Sequence, residues 1–264
     1  MPDSNDHELA GVIARAAGEI LLAVRRDGLF TGSELGDMGD ALSHQFITAA
    51  LRRHRPDDAL LSEEDATESD RLEHRRVWIV DPLDGTREYS EGRPDWAVHV
   101  ALVVDGTATL GAVALPDQGR LLVTGAPLPA PTAPERPPRL LVSRSRPTEH
   151  AAKLAEAIGA ELVPMGSAGA KAMAVVLGEA DVYAHSGGQY EWDSAAPVAV
   201  AAAAGFHTSR LDGSPLVYNQ PNPYMPDLLV CRPDLAERVL AVCAELAAGS
   251  SHRSDPSDAA RNGR

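Results

Sequence analysis

The stretch Trp78-Ile79-Val80-Asp81-Pro82-Leu83-Asp84-Gly85-Thr86 constrains the fold more than any other part of the chain. Val77 to Val80 is an apolar run of the kind buried inside a sheet, so a core strand is predicted there. Pro82 fixes its own φ and lacks a backbone donor, which interrupts the ladder. The chain must therefore turn where two carboxylates, Asp81 and Asp84, emerge. Such close like charges repel unless a cation lies between them, and hard divalent cations such as Mg²⁺ favour oxygen ligands of this kind. The Leu83 carbonyl, between the aspartates, can add a neutral oxygen. Gly85 and Thr86 offer backbone N–H groups suited to an anion. A metal and an anion at one turn suggest phosphate chemistry. Asp-Pro and Asp-Gly are also ordinary turn formers, so two further acidic segments carry weight.

In the first, Ala59-Leu60-Leu61-Ser62-Glu63-Glu64, a short apolar run ends in adjacent glutamates. Neighbouring strand residues point to opposite faces, so one of the two should face the site, and Glu63 is the choice. Asp65, Glu68 and Asp70 follow, as in a solvated acidic loop. The second is Glu191-Trp192-Asp193, just before Ser194-Ala195-Ala196-Pro197. Asp193 is a candidate N-cap for the Ala-rich helix that follows, a candidate metal ligand, or both.

These three segments, in this order, resemble the lithium-sensitive, Mg²⁺-dependent inositol monophosphatase superfamily, from about Leu9 to about Leu246. The resemblance implies a layered α-β-α-β-α sandwich with the site between two halves. It implies two or three Mg²⁺ ions held by Glu63, Asp81, the Leu83 carbonyl, Asp84 and Asp193. Thr86 would help activate the attacking water, with Asp40 accepting a hydrogen bond from Thr86; Asp40, Glu63 and Thr86 are the catalytic candidates. The segment Gly36-Asp37-Met38-Gly39-Asp40 leaves Asp37 as the alternative aspartate, and either could cap the helix that runs to about His54.

Within the superfamily, Arg87-Glu88-Tyr89 resembles the bisphosphate nucleotidases, which carry a basic residue, Glu and an aromatic there, rather than the Thr-Asn-Phe of inositol monophosphatases. Ser143-Arg144-Ser145-Arg146 is similar to their Ser-Arg-Ser-His nucleotide-holding segment, with Arg146 in place of the histidine. Gly166-Ser167-Ala168-Gly169-Ala170-Lys171 and Gly187 to Ser194 resemble the actinobacterial branch of the CysQ-type nucleotidases. The implied reaction is hydrolysis of the 3′-phosphate of adenosine 3′,5′-bisphosphate to AMP, removing a by-product of sulfate assimilation. Gly85, Thr86, Arg87, Ser143, Ser145, Ser167, Lys171 and Asp193 are the implied substrate contacts. The alternatives are an inositol or fructose-1,6-bisphosphatase-like sugar phosphatase and, more remotely, a non-catalytic regulator.

Lys171 has support of its own. Lys153 and Lys171 are the two lysines of an Arg-rich chain, and Lys171 lies among small apolar residues after a glycine-rich turn. An ammonium there can meet a phosphate as a point charge, or snorkel to the surface. The turn is not a Walker A loop, because alanines flank the lysine.

The 264 residues suffice for one large core or two modest ones, and a net charge of −14 argues against general binding to nucleic acid polymers. An anionic substrate is repelled at long range, so local cations must overcome the field. Cys231 and Cys243 read as reduced core thiols of a cytoplasmic protein. No basic leader precedes the first apolar residues, and the apolar stretch Pro197 to Phe206 is too short to span a bilayer. The histidines lack zinc-site spacing. The partner expected is a small nucleotide, with a homodimer as the family's common assembly.

Residues 1–125 are expected to form an α+β half. Its helices run from Asp6 to about Val24 and from about Asp40 to His54, and strands follow to Gly125. Asp105-Gly106 signals a hairpin. The proline-rich segment 126–138 is expected as a loop. Residues 139–248 alternate strand and helix as an α/β half, and 249–264 read as a disordered tail.

Overall fold

A computed structural model describes residues 4–64, 70–145 and 148–251. Two long helices open the chain, α1 (Ser4–Asp27) and α2 (Gly32–His54). In α1 the buried residues Ala10, Ile13, Ala14, Ala17 and Leu21 recur at helical spacing and form one apolar stripe. Five strands follow: β1 (Ala59–Ser62), β2 (Arg76–Asp84), β3 (Ala97–Val104), β4 (Thr107–Leu115) and β5 (Arg120–Val123). A short helix, α3 (Thr86–Ser90), separates β2 from β3. The strands form one sheet in chain order, with β1 parallel to β2 and every other pair antiparallel. Asp105 and Gly106 turn β3 into β4 with φ of 50° and 79°, the doubly positive geometry that a tight hairpin needs.

The proline-rich segment contains neither helix nor strand. Beyond it come β6 (Arg139–Ser143), α4 (Glu149–Ile158), β7 (Glu161–Met165), α5 (Ala168–Val176), β8 (Val182–His185), β9 (Gln189–Tyr190) and α6 (Glu191–Ala203). The last elements are β10 (His207–Ser209), β11 (Tyr224–Met225), β12 (Leu228–Cys231) and α7 (Pro233–Ser251). Thr148 caps α4 by accepting from the Ala151 N–H at 3.2 Å, and Gly159 closes it at φ 65°. The second sheet runs β10-β12-β8-β6-β7, and β9 pairs with β11 in a separate ribbon.

The layers follow from the apolar faces. One core joins α1 and α2 to the outer face of the first sheet, through Leu21, Ile47, Trp78 and Leu102. A second fills the space between the sheets with α5 and α6, through Met173, Val175, Ala195 and Val200. A third seats α4 and α7 on the far face of the second sheet, through Leu154, Val182 and Val239. The order is α-β-α-β-α, an α/β sandwich. Gly111 in β4 lets α6 lie flush on the first sheet, since a Cβ there would come within 2.3 Å of the Ala196 carbonyl oxygen.

The structure corrects some expected boundaries. α2 begins at Gly32 rather than near Asp40, so Asp37 and Asp40 are both interior to the helix and neither caps it. Asp193 is the third residue of α6; Tyr190 holds the cap position. α7 continues to Ser251, so 249–251 belong to the last helix. The β9·β11 ribbon and β10 were not expected. The remainder of the predicted tail and Arg146 lie outside the described residues.

Candidate active site

The predicted interruption at Pro82 is a register shift between Asp81 and Asp84 in the β2·β3 pairing. Ser43 of α2 anchors it by donating to the Pro82 carbonyl at 2.7 Å. The kink brings together two carboxylates that a regular strand would point to opposite faces, Asp84 lining the cleft and Asp81 buried beside it. Asp193 approaches from α6, and its carboxylate accepts from the Tyr190 N–H at 2.7 Å. Ligand oxygens of Asp81, Asp84 and Asp193 lie within 4.8 Å of one another. Glu63 lines the same cleft, outside that tight group.

The electrostatics show how unfavourable this gathering is without a cation. Burial, then the neighbouring Asp84, Asp193, Glu63 and Asp40, raises Asp81 well above the usual carboxylate range. Burial and the carboxylates around it, Asp40 first, push Glu63 up to about 7, and burial with Asp84 raises Asp193 to about 6. Asp84 is the exception. Burial would raise it, but His99, the Ser167 hydroxyl and the Gly169 N–H outweigh burial and hold it at about 2. Gly169 N–H donates to it at 2.6 Å and Ala168 N–H at 3.1 Å, from the first turn of α5. His99, fully buried on β3, places Nε2 3.3 Å from Asp84 and Nδ1 3.0 Å from the Trp192 carbonyl. Gly169 is fitted to it, since a Cβ there would lie 1.9 Å from His99 Nε2. The donor set is all oxygen and doubly repulsive, which suits a hard divalent cation.

A sign follows for pH. Groups whose folded-state values are raised toward 6–7 hold protons that the unfolded chain has released by then. Stability of the metal-free protein from this cluster is fully present below about 4 and is lost as pH rises through 6–7. Metal binding must displace those protons. The rise in melting temperature on adding millimolar Mg²⁺ should therefore grow as pH goes from 5.5 to 7.5 (about two units, spanning these titrations), measured by scanning fluorimetry. A rise that is flat or shrinks with pH would contradict this electrostatic account.

Thr86 opens α3 after Gly85, which takes φ 89°. Its Oγ1 donates to the Leu83 carbonyl at 3.1 Å. This corrects the expected Thr86–Asp40 hydrogen bond: Asp40 Oδ1 is buried with no partner among the described residues. Burial, Glu64 and Asp37 push Asp40 up to about 7. Asp37 is exposed and lines separate shallow grooves beside α2, so of the two aspartates only Asp40 belongs to the acidic cluster.

The cleft holds about 700 Å³. Gly85, Thr86, Arg87, Ser143, Ser145, Ser167, Lys171 and Asp193 all line it. Several are tied down within the protein. Lys171, 5% exposed, donates to the Ser167 carbonyl at 2.6 Å and the Gly166 carbonyl at 3.2 Å, over the Tyr183 ring. Ser167 adopts φ 51°, caps α5 through the Ala170 N–H and donates to Asp84. Arg87 is exposed and pairs with Glu91. The other two residues of the Arg87-Glu88-Tyr89 signature face inward: Glu88 receives Arg144, and Tyr89 Oη donates to the Leu21 carbonyl. Sequence reasoning missed His99 and the aromatic mouth of the cleft. A histidine in an apolar strand was the available signal for the first.

Residues 8–247 match the model described as the inositol monophosphatase family. A 3′-phosphoadenosine 5′-phosphate phosphatase of Mycobacterium leprae (strain TN) is 48% identical over 255 residues, covering 91% of this chain and 94% of its own. The 3′(2′),5′-bisphosphate nucleotidase CysQ of Escherichia coli (strain K12) is 32% identical over 190 residues, 68% of this chain and 77% of its own. Among solved structures, CysQ from Bacteroides thetaiotaomicron, described as a bacterial member of the inositol monophosphatase family, superposes with a TM-score of 0.75 at 26% identity, covering 86% of this chain and 97% of that one.

Proposed function

Because the chain belongs to the inositol monophosphatase family, we propose that it hydrolyses the 3′-phosphate of adenosine 3′,5′-bisphosphate, yielding AMP and phosphate. It is a phosphoric monoester hydrolase of the bisphosphate nucleotidase type, and the reading rests on relatives named 3′-phosphoadenosine 5′-phosphate phosphatase at 46–48% identity and on bisphosphate nucleotidases at 32%. The observation that carries the chemistry is Asp193 of α6 meeting Asp81 and Asp84 of β2 within 4.8 Å in one cleft. The family is metal-dependent, and oxygen donors of this kind suit a hard divalent cation, for which Mg²⁺ is our assignment. Glu63, Asp81, the Leu83 carbonyl, Asp84 and Asp193 would hold it. When bound, Mg²⁺ lowers the pKa of water and neutralises phosphate oxygens.

The protein's own groups do the rest. Thr86 Oγ1, fixed on the Leu83 carbonyl, orients a water against the phosphorus. Asp40, pushed up to about 7, is suited to take up or release a proton beside Glu63 in the acidic cluster. Ser143 and Ser145, whose hydroxyls lie 3.4 Å apart, supply hydroxyls toward the nucleotide. Lys171 pins the Gly166–Ser167 turn and lends its charge to the anion. No helix among the described residues is long and apolar enough to cross a membrane; a cytoplasmic homodimer fits the reading.

Thr86→Val keeps shape and removes the hydroxyl. It is expected to lower kcat by roughly 10²-fold or more with little change in KM, and Thr86→Ser should restore most of the loss. Equal kcat values for Val and wild type would remove Thr86 from the mechanism. Phosphate release from adenosine 3′,5′-bisphosphate and from inositol 1-phosphate, with and without Mg²⁺ and Li⁺, tests the function. A marked preference for the nucleotide, dependence on Mg²⁺ and inhibition by Li⁺ are expected. Equal kcat/KM for both substrates, or preference for the inositol phosphate, overturns the nucleotidase reading.

A further inference from the structure

His99 is an odd residue for the middle of a buried strand. Its neighbours on β3, Ala97, Val98, Val100 and Ala101, are apolar and, like His99 itself, 0% exposed. Burying an imidazole is costly unless its nitrogens are engaged, and both nitrogens of His99 are turned to the acidic corner. Nδ1 lies 3.0 Å from the Trp192 carbonyl. A carbonyl only accepts, so Nδ1 is the donor and the orientation of the ring is fixed. Nε2 then faces Asp84 Oδ2 at 3.3 Å and has no other partner among the described residues. In the β2·β3 register His99 stands opposite Asp81, at the last pair before the shift that leads to Asp84. Gly169 leaves the space the ring fills, since a Cβ there would lie 1.9 Å from Nε2.

Trp192 precedes Asp193 in the first turn of α6. One rigid ring therefore ties a carboxylate of β2 to the backbone beside a carboxylate of α6. It also turns Asp84. Oδ2 takes the Ser167 hydroxyl and the Gly169 N–H as well as the contact with His99. Oδ1, which accepts from the Ala168 N–H at 3.1 Å, is the less encumbered oxygen.

We propose that His99 is a positioning residue that sets the spacing of Asp84 and Asp193 and thereby the size of cation the corner accepts. The proposal rests on the metal-dependent reading above and deepens it. His99 does not line the cleft, so it acts through Asp84 and the Trp192 carbonyl and not on the cation itself. Groups that orient ligating carboxylates in this way govern metal affinity by roughly 10- to 100-fold. Mg²⁺ demands near-octahedral geometry at about 2.0–2.1 Å, whereas Ca²⁺ accepts flexible geometry at about 2.3–2.6 Å. Loosening the spacing therefore costs Mg²⁺ more than Ca²⁺. A change of charge acts alike on two divalent cations, and a loss of stability acts on neither while the protein stays folded.

The test is calorimetric titration of MgCl₂ and of CaCl₂ into the full chain freed of metal by chelator, at a temperature where circular dichroism shows each variant folded. His99→Leu is expected to weaken Mg²⁺ binding roughly 10- to 100-fold and Ca²⁺ binding by less than about threefold. His99→Asn, which can keep a donor for the Trp192 carbonyl but removes the group facing Asp84, should also favour Ca²⁺ relative to wild type. Gly169→Ala keeps the imidazole and its charge but displaces the ring, and it too should lower the ratio of Mg²⁺ to Ca²⁺ affinity. Should His99→Leu fail to fold, the other two variants carry the test.

If wild type binds neither cation, the metal-dependent reading fails and the proposal with it. If wild type binds both and the folded variants keep its ratio of affinities, only the proposal falls. Equal losses for Mg²⁺ and Ca²⁺ would mark an effect of charge or stability and overturn it as well.

Discussion

Asp81→Asn is expected to lower kcat/KM by roughly 10³-fold or more while raising the melting temperature of the metal-free protein. The two effects have one cause. Asp81 is 2% exposed, and among the described residues its one hydrogen bond is from the Leu83 N–H to Oδ1 at 3.0 Å. An asparagine keeps that acceptor. What it removes is a negative charge that burial, Asp84, Asp193, Glu63 and Asp40 all oppose. Without metal the change relieves repulsion. In turnover it deletes a metal ligand, and the stabilisation lost is several kcal/mol, the scale of a missing Lewis acid contact. Asp84→Asn should behave differently. Asp84 accepts from Ser167 Oγ and from the Ala168 and Gly169 N–H groups, with His99 alongside. An amide there must turn an NH₂ toward one of these donors and leaves it unpaired, at about 1–3 kcal/mol. Asp84→Asn should therefore lose both activity and stability. Melting curves in chelator, with kinetics at saturating Mg²⁺, separate the pair. Near-wild-type turnover of Asp81→Asn, or a fall in its metal-free melting temperature matching that of Asp84→Asn, refutes the assignment.

Gly111→Ala carries the second large effect, and it acts at a distance from the chemistry. The added methyl would lie 2.3 Å from the Ala196 carbonyl oxygen and 3.0 Å from its Cα. Both are backbone atoms of α6, so no side chain can swing aside and the helix must lift from β4. Such overpacking costs about 1–3 kcal/mol, or roughly 2–4 °C of melting temperature for each kcal/mol in a chain of this size. Because Asp193 sits on the same helix, one turn before Ala196, the variant should also bind Mg²⁺ more weakly, seen as a smaller Mg²⁺-induced rise in melting temperature. A variant that melts within a degree of wild type and responds fully to Mg²⁺ would show that α6 is not seated by this contact.

Local chemistry made much of this legible. The apolar run of β2 and the Asp-Pro-Leu-Asp-Gly-Thr turn announce a kinked strand end. Thr148 and Gly159 bracket α4, and Asp105-Gly106 fixes a hairpin, because each rule acts over a few residues. Asp40 was harder to place. The glycines Gly32, Gly36 and Gly39 argue against an early helix start, yet Gly36 and Gly39 are buried within α2, where Cβ atoms would meet Thr86 and Tyr89 side chains at 2.8 and 2.9 Å. Tertiary packing against α3 overrides their poor helix propensity. The two-residue strand β9 gives no periodicity to read, so Tyr190 and the aromatic mouth of the cleft passed unnoticed.

The order of the acidic segments, their oxygen chemistry and the family they belong to were determined by the sequence alone. Only the tertiary structure decided which carboxylates meet, that Asp84 is held down at about 2 while Glu63 and Asp40 rise to about 7, and that Thr86 leans on the Leu83 carbonyl instead of Asp40. The reason is physical. A turn is set by the dihedral preferences of adjacent residues, whereas the energy of a buried charge depends on distance and dielectric, and those are set by segments far apart in the chain.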